Sequence, residues 1–256
     1  MARFDKLEFE QFDKQHPKAA ETHRAVTDAQ TWMRRADDFR RSGTYEGALQ
    51  MYSRALEEDK TLIECWAGQV QMLVQLEEFP EAELWSRKAL ELYPGNGELL
   101  AARAQALCRD KKPRDAQATV DQSLQQAGES SFRWMVRGEI LLMQRQSTHK
   151  HCFDRAMQCD HDWLPPAESA LIYRYYNQPS NGLSYARLAT ERNPTVPYAW
   201  YVVARCQRDL GMIQPARRSL STCLDLKPDF RDAQNLQVAL DSEVPLWRQI
   251  RRLWSR

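Results

Sequence analysis

The residues best suited to metal chemistry in this sequence lie close together: His149, His151, Cys152, Cys159 and His161. Imidazole and thiolate are ligands that zinc prefers. Cys152 and Cys159, however, stand seven residues apart on a predicted helix, which separates them by about 10 Å along its axis. Two thiolates bound to one zinc at about 2.3 Å cannot lie so far apart. We therefore expect this cluster to hold neither a metal nor another cofactor.

The sequence contains no motif for catalysis or phosphate binding: no Gly-rich phosphate loop, no Gly-x-Ser-x-Gly elbow and no His-Glu-x-x-His pair. Its 36 basic and 35 acidic side chains nearly cancel, whereas nucleic-acid binders usually carry a basic excess. No apolar run approaches the ~20 residues of a membrane span, and the first residues lack the apolar core of a signal peptide. We expect a soluble, cytoplasmic protein that is neither an enzyme nor a nucleic-acid binder.

The elements that carry these residues are predicted to be helices, because Ala, Leu, Gln, Glu and Arg dominate and Gly and Pro are few. The helices repeat with a fixed period. Trp32 and Trp66 stand 34 residues apart, Trp66 and Trp134 stand 68 apart, and Trp134 and Trp200 stand 66 apart. The same period separates the alanines at positions 48, 82 and 116. Such self-similarity is typical of arrays of stacked helical units.

A 34-residue period with an early aromatic, central small residues and a late proline resembles the tetratricopeptide repeat (TPR). Repeat one shows the pattern most fully, with Trp32, Ala36, Phe39, Gly43, Ala48, Tyr52 and Ala55. The resemblance implies an all-α fold, a right-handed superhelix of about six pairs of antiparallel helices, A and B. The predicted units are 29–62, 63–96, 97–130, 131–162, 163–196 and 197–230. Residues 1–28 precede them as an N-terminal extension and helix lead-in, and residues 231–256 follow as a capping helix and a basic amphipathic tail.

The resemblance also implies that a protein or peptide partner lies in a concave groove lined by the A helices. At Met33 and Asp37, the Lys and Asn of the chaperone-binding clamp found in some relatives are missing. Large apolar, aromatic and charged residues concentrate at the groove positions of the last three units: Phe132, Met135, Glu139, Leu142, Met143, Leu171, Arg174, Tyr175, Tyr198, Tyr201, Arg205 and Arg208. We expect a scaffold, adaptor or chaperone-like assembly factor that binds a peptide or helix there, unless some of these residues pack between helices instead.

Both ends of the chain fall outside the repeat pattern. Phe4, Leu7, Phe9 and Phe12 follow no clean period, and whether residues 1–16 fold back into the groove stays open. The tail has four arginines and no acid, and its apolar residues share one helical face. It either packs as a last helix or binds a partner or a membrane surface, which makes a peripheral membrane tether the alternative function. The tail residues concerned are Trp247, Arg248, Ile250, Arg251, Arg252 and Trp254.

Overall fold

The computed structural model describes residues 19–242, with side chains from residue 28 onwards. Within this range the chain forms thirteen α-helices and no β-strand. The helices are α1 (Ala19–Arg41), α2 (Tyr45–Glu58), α3 (Ile63–Gln75), α4 (Phe79–Leu92), α5 (Gly97–Arg109), α6 (Pro113–Gln125), α7 (Ser131–Met143), α8 (His149–Cys159), α9 (Leu164–Tyr175), α10 (Pro179–Arg192), α11 (Pro197–Asp209), α12 (Ile213–Leu226) and α13 (Arg231–Ser242). The predicted all-α fold class is confirmed.

The backbone conformation of the turn inside each helix pair recurs with the 34-residue period. One residue per pair has a positive φ, and these residues are Gly43, Glu77, Lys111, Arg145, Asn177 and Gly211. In each turn the next amide donates to a carbonyl five residues earlier, as Glu78 does to Leu73 at 2.9 Å. This hydrogen bond and the left-handed residue form the Schellman motif that ends a helix. The interval between Arg145 and Asn177 is 32 residues, so the fourth repeat loses two residues between its turn and the next one.

The chain divides into two compact units, and the boundary between Cys152 and Phe153 lies within α8. In the first unit each helix from α1 to α7 packs against its neighbour in sequence, and α5 also packs against α3 and α7. In the second unit α9 to α13 pack in the same consecutive way, and α9 also contacts α11. The A helices α3, α5 and α9 therefore touch both their own B helix and the next A helix. The predicted succession of helix pairs is confirmed within each unit.

Small residues allow these helices to approach closely, and aromatic residues fill the remaining space. Gly68 on α3 lies against the ring of Tyr52 on α2, where an added Cβ would stand only 2.5 Å from the ring. Trp66 packs on Trp85 with 6.1 Å between ring centroids. Its Nε1 donates to the Lys60 carbonyl at 2.9 Å. The aromatic stripe that marks the repeat in the sequence is thus core packing at this position.

Candidate protein-binding surface

Four of the five site residues predicted on α7 are buried, among them Leu142, which is 2% exposed. Phe132 is 9% exposed, Met135 is 3% exposed and Glu139 is fully buried. Met143 is half-buried, and its sulfur lies 3.7 Å from the sulfur of Cys108. Because α7 packs against both α5 and α6, this part of the groove expectation needs correction. Phe132, Met135, Glu139 and Leu142 are interior residues and offer no accessible anchor to a partner.

A buried polar network joins α5 to α7. Glu139 accepts a hydrogen bond from Gln105 Nε2 at 2.9 Å and another from Arg109 Nε. All three side chains are buried. An ionised carboxylate is tolerated inside a protein only when a partner compensates its charge, as Arg109 does here. Sequence reasoning missed this network, although Gln105 and Glu139 stand one repeat period apart and a contact between successive A helices could have been inferred.

The predicted site residues of the second unit differ in exposure. Tyr198 is buried, with its ring edge-on to Trp163 at 6.5 Å, so it is a core residue. Leu171 is half-buried and packs against the same core. Tyr175 is 44% exposed and Arg208 is exposed. The half-buried site residues that remain are Arg174, Tyr201 and Arg205.

Five of these residues, which we call the arginine–tyrosine surface, lie on α9 and α11: Arg174, Tyr175, Tyr201, Arg205 and Arg208. The Arg174 guanidinium pairs with Asp209 at 2.6 Å and so links the two helices. Arg205 stands one helical turn after Tyr201, and its guanidinium lies 5.6 Å from the Tyr201 ring centroid. This distance is typical of a cation–π contact.

The Tyr201 ring is held from a second side by Phe230, which precedes α13, at 5.1 Å between centroids. Burial raises the pKa of the Tyr201 phenol, and the nearby Arg205 guanidinium opposes that shift. The phenol is therefore neutral and able to donate a hydrogen bond near pH 7. Sequence reasoning did not single out Phe230, since it lies in a turn outside the A-helix positions.

The histidine–cysteine cluster forms no recognisable metal site. Among residues 28–242, whose side chains are described, no group of three or more His, Cys, Asp or Glu is placed to hold a metal ion. His149 is buried, and its Nδ1 lies 2.6 Å from the Gln146 carbonyl oxygen. Cys152 is buried and Cys159 is exposed. That the protein carries no zinc stays a prediction.

The predicted tail site falls outside the described residues, as do residues 1–16. Trp247, Arg248, Ile250, Arg251, Arg252 and Trp254 therefore remain candidates on sequence grounds alone. The helix that precedes them, α13, packs against α12. None of the described helices combines the length and apolar character required to cross a membrane.

Comparison with known proteins identifies the fold. No protein-family model matches the chain, and a search of curated proteins returned no match. A thermophilic TPR protein of Thermus thermophilus aligns at 13% identity and a TM-score of 0.50, covering 83% of this chain and 98% of that one. A TPR protein from Parabacteroides merdae aligns at 14% identity and a TM-score of 0.51, covering 83% of this chain and 84% of that one.

The Cut9–Hcn1 hetero-tetramer of the APC/C also contains a similar chain, at 13% identity and a TM-score of 0.51. The match covers 86% of the present chain but only 45% of that one. At such low identity the likeness concerns the fold alone. Together with the 34-residue period and the consecutive helix pairs, it shows that this chain has the tetratricopeptide-repeat fold.

Proposed function

We propose that this chain is a non-catalytic scaffold or adaptor of the cytoplasm that binds a segment of another protein on the arginine–tyrosine surface. A role in assembling a multiprotein complex, including a chaperone-like one, is consistent with this proposal. One similar structure, the Cut9–Hcn1 hetero-tetramer, is itself a protein assembly.

The observation that carries the proposal is a contrast between equivalent positions of successive A helices. Gln71, Gln105 and Glu139 stand 34 residues apart, and all three are buried. The next equivalents, Leu171 and Arg205, are only half-buried. A position that is closed by interior contacts on α3, α5 and α7 is thus accessible on α9 and α11. Accessibility is what a binding residue requires.

The chemistry of the surface indicates the kind of partner. Tyrosine and arginine are enriched among the residues that dominate binding energy at interfaces. The three arginines of the surface outnumber the two nearby acids, Asp209 and Asp232. This leaves one excess positive charge beside the exposed Tyr175 ring and the half-buried Tyr201 ring. An extended segment or helix with apolar side chains and a carboxylate would complement such a surface.

The test begins with isolation of a partner from the native host, using the full chain as bait. The affinity of that partner is then measured by calorimetry for the wild-type, Tyr201→Ala and Arg205→Ala chains. If both residues dominate binding, each substitution should cost about 2 kcal/mol, or roughly a 30-fold loss of affinity. The Arg205 contribution should shrink at high salt, since it is electrostatic.

The matched control is Arg187→Ala, which removes an exposed arginine from α10 in the same unit. We expect this change to leave affinity unchanged. Thermal melts of all variants establish first that the fold is retained. Unchanged affinity for both Tyr201→Ala and Arg205→Ala would place the binding site elsewhere on the chain.

A further inference from the structure

The first helix pair has an open cavity of about 560 Å³ on one face of α1 and α2. Trp32, Phe39 and Met51 form its apolar lining, and Arg35 and Arg54 contribute two positive charges. Asp38 also lines it, which leaves one excess positive charge. The cavity thus combines an aromatic lining with cationic side chains.

On the same face of the second and third repeats, the residues at the positions equivalent to Trp32 and Phe39 are buried. Phe39 is 38% exposed, whereas its equivalents Leu73 and Leu107 are buried. Trp32 is half-buried, whereas its equivalent Trp66 is only 2% exposed. In the second repeat this face has a preceding helix pair, since α2 packs against α3. The first repeat has no helix pair before it in the described part of the chain, and residues 1–28 precede it in the sequence.

The charges at the cavity point to an acidic occupant. The guanidinium carbons of Arg35 and Arg54 lie 4.9 and 5.0 Å from the Trp32 ring centroid. Within the described part of the chain, neither guanidinium pairs with a carboxylate. Two cations beside one ring repel each other, and an introduced carboxylate would relieve that repulsion while adding charge-assisted hydrogen bonds.

We propose that residues 4–13 of this same chain occupy the cavity. The segment, Phe-Asp-Lys-Leu-Glu-Phe-Glu-Gln-Phe-Asp, carries four apolar side chains interleaved with four acids and one lysine. Its aromatic residues complement the apolar lining, and its net negative charge complements Arg35 and Arg54. The C-terminal residues 245–256 are a poor alternative, because their four arginines would add positive charge to the site.

The length of the intervening chain permits this contact. Trp32 lies about 20 Å along α1 from Ala19, and Phe39 lies about 30 Å from it. Phe12 precedes Ala19 by seven residues and so reaches up to about 24 Å, while Phe9 reaches up to about 34 Å. An extended segment that turns back along α1 can therefore bring Phe12 to Trp32 and Phe9 to Phe39.

Hydrogen exchange of the full chain, read by mass spectrometry on peptides from residues 4–13, tests the proposal. In the wild-type chain we expect exchange of this segment to be roughly tenfold slower than in an Arg35→Glu/Arg54→Glu chain. A second variant, Phe9→Ser/Phe12→Ser, should lose the same protection without altering the repeats. Adding Glu8→Lys/Glu10→Lys to the Arg35→Glu/Arg54→Glu chain should restore protection, because the charge pairs are re-formed with opposite signs.

The matched control is Arg87→Glu/Arg114→Glu, which reverses two exposed arginines on α4 and α6 of the same unit. This chain should keep the wild-type protection. Absence of protection in the wild-type chain, or equal protection in the Arg35→Glu/Arg54→Glu chain, would overturn the proposal. Protection that disappears on dilution would also overturn it, since the occupant would then be the segment of a second copy.

Discussion

Replacement of Trp66 by alanine tests whether the repeat tryptophans stabilise the fold in proportion to their burial. Trp66 is 2% exposed, packs against the tilted ring of Trp85 and donates to the Lys60 carbonyl. A buried tryptophan removes about 200 Å² from water, which at about 25 cal/mol/Å² corresponds to about 5 kcal/mol. Alanine retains part of that burial but leaves a cavity. We therefore expect the free energy of unfolding to fall by about 3–5 kcal/mol.

Two further substitutions separate the contribution of the hydrogen bond to Lys60 from that of side-chain burial. Trp66→Phe keeps an aromatic ring beside Trp85 and loses the hydrogen bond to Lys60, so it should cost about 1–2 kcal/mol. Trp200 stands at the equivalent repeat position but is half-buried, and its Nε1 donates to the Pro194 carbonyl at 2.8 Å. Because Trp200 is less completely buried than Trp66, Trp200→Ala should cost less than Trp66→Ala.

The assay is equilibrium unfolding in denaturant, followed by far-ultraviolet circular dichroism. This signal reports helix content and does not depend on the tryptophan that each variant removes. A loss below about 1 kcal/mol for Trp66→Ala would show that the residue is not part of a packed core. An equal loss for Trp200→Ala would refute the link between burial and stability at this repeat position.

Three other predictions concern the core. Gln69 is fully buried with no hydrogen-bond partner for either amide atom, so Gln69→Met should raise the free energy of unfolding by about 1–3 kcal/mol, measured in the same denaturant assay. Gly68→Ala should lower it by about 1–3 kcal/mol, since the new Cβ meets the Tyr52 ring and overpacks the core; a more stable variant would contradict this packing. Thiol labelling of the native protein near pH 8 should modify the exposed Cys159 alone, whereas the remaining five cysteines should react only after unfolding. Burial raises the pKa of three of these thiols to about 12, namely Cys65, Cys206 and Cys223.

The raised thiol pKa values also bear on stability at alkaline pH. A buried thiol that keeps its proton up to about pH 12 in the folded chain, as Cys206 does, ionises near its ordinary pKa of about 8.5 once the chain unfolds. The unfolded state therefore releases protons first as the pH rises. The free energy of unfolding should decline from about pH 9 towards pH 12. A Cys206→Ala chain should show a shallower decline in denaturant midpoints over this range.

The 34-residue period by itself determined the helix pairs of this chain. Tryptophans and alanines recur at that interval because each unit must present the same packing surface to its neighbour. The turns follow the same period: Glu77 and Lys111 adopt the left-handed conformation that Gly43 adopts in the first repeat. Local sequence is sufficient to predict these helix pairs, since the contacts within a helix–turn–helix join residues that are near each other along the chain.

The tertiary structure alone decided which repeat positions are accessible. Glu139 and Arg205 occupy the same position of their A helices, yet one is buried in an ion pair and the other is half-exposed on the surface. Trp32 and Trp66 differ in the same way. A period specifies which face of a helix a residue occupies, but burial depends on whether another helix covers that face. The covering helix lies about one repeat away in the sequence. Its side chains, and not the type of the covered residue, decide whether water reaches that residue.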